Sequence, residues 1–99
     1  MPFAISFVDD PDVLDKKKEA RPLHLDYVTS NAHRIIASGG YFPDDDDFPG
    51  GGLILLDVAT RAEAVDYITN DPFFQIGVFS TYTIRRWKKF IFDHKRVPD

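Results

Sequence analysis

The run Leu53, Ile54, Leu55, Leu56, Asp57, Val58 constrains the fold more than any other stretch, because it is short for a helix and apolar at both parities. Side chains alternate across a strand, so such a segment buries residues on both faces of its sheet. It follows turn chemistry: Pro43, the acids Asp44 to Asp47, Phe48, Pro49 and the triplet Gly50, Gly51, Gly52. Upstream, Ile35 to Phe42 reads as a second strand, opened by Gly39 and Gly40, where adjacent glycines mark a bulge or a close backbone approach. Together the two segments predict a hairpin with a long loop.

The remaining segments complete a pattern around that hairpin. Pro2 to Val8 alternates Phe3, Ile5 and Phe7 against Ala4, Ser6 and Val8, and reads as a first strand. Asp9, Asp10, Pro11 and Asp12 break it and open a short helical turn through Val13 to Lys18. A main helix is expected from Pro22 to Ile35, with Pro22 at the first helical position and Arg21 as a boundary residue outside it. Thr60 and Glu63 have capping-box spacing for a second helix, whose inward residues are Ala64, Val65 and Ile68 and which ends by Pro72. Phe73 to Gly77 predicts one further turn, and Val78 to Trp87 a last strand that extends toward Phe92. The order β-α-β-β-α-β is the ferredoxin-like, split βαβ arrangement of the α+β class: a four-stranded antiparallel sheet with two helices on one face. With 14% aromatic residues and strands apolar on both sides, two helices do not cover the sheet. A homodimer through the open sheet face is therefore expected.

Composition excludes several classes of function. The 99 residues, 43% hydrophobic, predict a single domain over residues 1–99. A net charge of −4, with no basic stripe standing apart from the segment Arg85 to Arg96, argues against nucleic-acid binding. The absence of cysteine removes disulfides, thiolate zinc sites and thiol nucleophiles. No apolar run approaches the ~20 residues of a membrane span, and the N-terminus lacks a secretory pattern, so the expected location is the cytoplasm. The Asp44 to Asp47 cluster lacks the ligand spacing of a calcium loop, and Gly50 to Gly52 lacks the Lys-Ser/Thr of a phosphate loop. No metal or other cofactor is expected.

One residue demands a chemical explanation. At 100° per residue, His24 falls on the face of the main helix that carries Tyr27, Val28 and Ile35, so it points toward the core. A buried ring nitrogen needs a polar partner. Asp71, in Asn70-Asp71-Pro72-Phe73, stands at the exit of the second helix, which packs beside the first in this topology. A carboxylate on one imidazole nitrogen fixes the tautomer and leaves the other as a general base. Spacing alone does not make the two meet, and Asp71 before Pro72 is also an ordinary helix cap. Arg21, one turn away, is placed to steady negative charge on a substrate oxygen. On the last strand, Ser80 and Tyr82 are candidates to line the pocket, although core or interface packing suits Tyr82 better.

Taken together, Arg21-Pro22-Leu23-His24-Leu25, Ser38-Gly39-Gly40 and Asp71-Pro72-Phe73 followed by Gly77-Val78-Phe79 resemble the YCII-related family over nearly the whole chain. The resemblance implies a dimeric ferredoxin-like α/β barrel with a His–Asp pair, carried here onto His24 and Asp71, in a pocket between sheet and helices. It also implies small-molecule chemistry of the dehydrochlorinase or lactone-isomerase kind. Expected catalytic residues are thus His24 and Asp71, and expected ligand contacts are Arg21, Gly39, Phe73 and Ser80. The leading function is a cofactor-independent lyase or isomerase. The alternatives are a small-ligand-binding or regulatory dimer without chemistry and a purely structural interaction domain.

Overall fold

Strand β1 (Phe3–Asp9) occupies an inner position of a sheet whose order is β2-β3-β1-β4, with β2 at Ile35–Tyr41, β3 at Gly51–Leu56 and β4 at Phe79–Arg86. The computed structural model describes residues 1–98. Every pairing in this sheet is antiparallel. Helices α1 (Leu14–Ser30) and α2 (Arg61–Thr69) and the single turn α3 (Pro72–Gln75) accompany it. This is the α+β, ferredoxin-like arrangement expected from the order of elements.

Alternation along β1 decides which face is covered. Phe3, Ile5 and Phe7 stand opposite Leu56, Ile54 and Gly52 of β3, and they join Val58, Ala64, Tyr67 and Ile68 in one core with Tyr27 packed on it. Both long helices therefore lie on this face. The other face carries Ala4, Ser6 and Val8 of β1, Leu53 and Leu55 of β3, and Ala37 and Tyr41 of β2, none of them fully buried. The run at Leu53 to Leu56 is thus buried on its helix side and half-buried on the open side, and the strand ends at Leu56 rather than Val58.

That strand begins earlier than the apolar run does. Gly51 and Gly52, expected in the turn, belong to β3, because β1 passes too close for any side chain there. A Cβ on Gly51 would sit 2.3 Å from the Phe7 carbonyl oxygen, and one on Gly52 would sit 2.6 Å from the Phe7 ring.

The largest departure from expectation is at Pro22. Instead of starting a helix, it lies inside α1, which runs unbroken through seventeen residues from Leu14 to Ser30, so that Arg21 is helical and not a boundary. An interior proline removes one backbone hydrogen bond and costs roughly 3 kcal/mol. Pro22 and Lys18 are exposed, which leaves the freed carbonyl to water, while Ala20 and Tyr27 anchor the helix on either side. The helix also stops earlier than Ile35: Asn31 caps it, donating through Nδ2 to the Tyr27 carbonyl at 2.8 Å, and a 3-10 turn at Ala32–Arg34 leads into β2.

Other boundaries move for local reasons. In α2 the Thr60 hydroxyl accepts the Glu63 amide at 3.2 Å and donates to the Glu63 carboxylate at 3.1 Å, while Tyr67 rather than Val65 joins Ala64 and Ile68 inside. Gly77 adopts φ +80° and releases the chain into β4. Beyond Arg86 the chain does not prolong β4 to Phe92. It folds into a small hairpin, β5 (Ile91–Phe92) and β6 (Lys95–Arg96), through Asp93 and His94, both at positive φ.

Candidate active site

Because α1 is continuous, Lys17, Arg21 and His24 fall at i, i+4 and i+7 along one stripe and all line a cavity of about 280 Å³. Its other walls come from Phe7, Ser38, Gly39, Gly40, Pro49, Leu53, Tyr67 and Phe73. The site thus lies between α1 and the helix-covered side of the sheet. The expected contacts Arg21, Gly39 and Phe73 are on this wall.

His24 sits inward, its side chain 19% exposed, while Asp71 is fully buried. The imidazole Nδ1 lies 2.9 Å from Asp71 Oδ1 and 3.0 Å from Oδ2. Asp71 Oδ1 also accepts the Phe73 amide at 2.9 Å, so the carboxylate caps α3 while holding the ring. Since the carboxylate acts as acceptor, the hydrogen resides on Nδ1, and Nε2 of the neutral ring retains its lone pair. The cap and the histidine contact, two separate readings of Asp71 in the sequence, coexist on one side chain.

Two aromatic contacts fix the pair. Phe73 stacks on the imidazole with centroids 3.9 Å apart and planes 6° from parallel, and Phe79 meets Phe73 edge-on at 6.3 Å. The short turn α3 and its N-cap Asp71 therefore supply both the carboxylate that holds His24 and the ring that supports it.

Ser80, expected as a ligand contact, does not line this cavity. The register shift between Val8 and Asp9 leaves Ser80 as an extra residue of β4, and its hydroxyl donates to the Val8 carbonyl at 3.1 Å. Tyr82 stands beside Phe7 and meets Phe74 edge-on at 5.7 Å. His33 is exposed and His94 turns the terminal hairpin.

Lys17 and Tyr67 are two polar wall residues that sequence reasoning missed. Lys17 pairs with the buried Asp9 carboxylate, donates to the Pro49 carbonyl at 3.0 Å and places its ammonium 5.0 Å from the Phe48 ring centre, so it ties the mouth of the cavity to the loop before β3. Its i, i+4, i+7 spacing with Arg21 and His24 was the available signal, hidden by starting the helix at Pro22. Arg21 has no ion pair among the described residues, so its guanidinium is free to meet a ligand. No group of three or more His, Cys, Asp or Glu side chains suited to a metal ion occurs among the described residues.

The cavity under α1, largely apolar but with Lys17, Arg21 and His24 on one wall, is set in a ferredoxin-like scaffold. Residues 1–88 match the YCII-related domain, and the chain belongs to that family. Among solved structures it is similar to 5-chloro-2-hydroxyhydroquinone dehydrochlorinase from Burkholderia phenoliruptrix AC1100, in complex with 2,5-dihydroxybenzoquinone, at 26% identity and a TM-score of 0.80. The match covers 89% of this chain and 94% of that one. No curated protein sequence matches. A lyase-type small-molecule enzyme thus exists in this fold and family. Among the described residues no helix is long and apolar enough to cross a membrane.

Proposed function

We propose that this chain is a small-molecule lyase or isomerase in which His24 acts as general base on a hydroxylated, ring-like substrate held between α1 and the sheet. The observation that carries the reading is the contact of His24 Nδ1 with the fully buried Asp71, which leaves Nε2 available to the cavity. In this reading Nε2 takes a proton from the substrate, Asp71 keeps the imidazole oriented as it charges, and Arg21 steadies the oxyanion that develops. Returning the proton at another position completes an isomerisation, and loss of a leaving group completes an elimination. The likeness to a dehydrochlorinase that binds a dihydroxybenzoquinone supports the substrate class. Phe73 and the Gly39 backbone serve as ligand walls.

The test is a turnover screen over halogenated hydroquinones and hydroxylated lactones with the wild type and His24→Asn. Turnover by the wild type and a loss of about a hundredfold or more in the folded variant is expected for a general base. Equal rates in the two proteins contradict the proposal, and saturable binding without turnover makes the pocket a ligand-binding site instead.

We further infer a homodimer through the open sheet face. Leu53 and Leu55 are half-buried there, and Val8 and Tyr41 are exposed, an apolar surface that a second copy covers. Sedimentation is expected at twice the chain mass, shifting to the single-chain mass in Leu55→Glu.

A further inference from the structure

Tyr67 presents a polar group that the fold itself does not use. Its side chain is fully buried, it lines the same cavity as His24, and its hydroxyl has no hydrogen-bond partner among the described residues. The other buried side-chain atom in that condition, Asp9 Oδ1, belongs to a carboxylate whose second oxygen is paired with Lys17. Buried hydroxyls in native proteins are nearly always satisfied, and an exception on a cavity wall points to a ligand.

The ring is held in place from several sides. Tyr27 stacks on it with centroids 5.3 Å apart and donates its own hydroxyl to the Tyr67 carbonyl at 2.6 Å. The Arg34 guanidinium lies 5.4 Å from the ring centre. Packing thus fixes the ring, while the hydroxyl makes no bond of its own among the described residues. Burial first, and then the negative charge of Asp71, push the Tyr67 phenol above its ordinary range, so it remains a donor at physiological pH.

We propose that Tyr67 is a ligand-binding residue whose hydroxyl donates a hydrogen bond to a carbonyl or deprotonated hydroxyl oxygen of the small molecule held beside His24. This inference rests on the function proposed above and narrows it: the ligand carries an acceptor oxygen at the α2 side of the cavity. A molecule lacking one leaves the Tyr67 hydroxyl unsatisfied and is discriminated against.

Tyr67→Phe removes only the hydroxyl and keeps the ring in the core. Two measurements are made on this variant and the wild type: melting of the ligand-free proteins, and calorimetric binding of 2,5-dihydroxybenzoquinone. The expected result is a melting temperature equal to or above that of the wild type, because no internal hydrogen bond is lost, with affinity weakened about tenfold. A fall in melting temperature of about 5 °C or more shows that the hydroxyl is bonded within the protein and overturns the proposal. Equal affinities for the quinone overturn it as well, while leaving the role of His24 intact. If the wild type does not bind the quinone, the substrate class proposed above falls. The melting comparison alone then decides whether the Tyr67 hydroxyl is free for a ligand.

Discussion

The imidazole of His24 lies flat on the ring of Phe73, two residues after the aspartate that holds its Nδ1. A four-residue helical turn and its capping aspartate thereby control both the position and the tautomer of the proposed base. Neither contact requires a ligand, so the arrangement is preorganised in the free protein.

Removing the Phe73 ring therefore has two separable effects. Phe73→Ala is expected to destabilise the fold by about 3–5 kcal/mol, the usual cost of truncating a buried phenylalanine, as read by urea unfolding. Phe73→Leu, which keeps most of the volume but not the flat surface, is expected to lose much less stability while still impairing ligand binding. A Leu variant with wild-type affinity would show that stacking on His24 has no functional weight.

Asp9 depends on one cation. Lys17 pairs with one of its carboxylate oxygens, and the other is buried without a partner. Lys17→Met is expected to cost about 3 kcal/mol or more, because it strands a buried charge. Adding Asp9→Asn to that variant removes the charge and is expected to restore part of the loss. Chemical denaturation of the single and double variants checks the coupling, and simple additivity would contradict it.

Alkaline pH gives a separate signature. Burial raises the Tyr27 and Tyr67 phenols above their ordinary value of about 10. An acid whose folded pKa is raised keeps its proton longer in the folded state than in the unfolded one. Stability is therefore fully present below pH ~10 and declines as the pH rises beyond it. Denaturation at pH 9, 10 and 11 should show this fall, with a shallower slope in Tyr67→Phe. An identical slope in the variant would remove Tyr67 from the account.

Much of the fold was legible because the apolar patterns of β1 and β3 and the punctuation between elements are local signals. The inward face of β1 and the Thr60 to Glu63 cap are as their spacing implies. Pro22 misled because proline strongly favours helix starts, while the packing of Ala20 and Tyr27 that carries α1 through it is tertiary. That error hid Lys17. Tyr67 was missed because nothing in its neighbourhood distinguishes a core tyrosine from one with a free hydroxyl. That Ser80 lies off the cavity was not legible, because a register shift in β4 is invisible in an alternating pattern. Asp71 was recoverable as a candidate through topology and family motifs, but its distance from His24 depends on how the two helices pack.

The tautomer of His24 in the free protein tests the central claim most directly. Long-range proton–nitrogen NMR on the neutral imidazole is expected to show hydrogen on Nδ1 and a bare Nε2 facing the cavity. Hydrogen on Nε2 in the neutral ring would contradict the account, because no lone pair would then remain on the cavity side to accept a substrate proton.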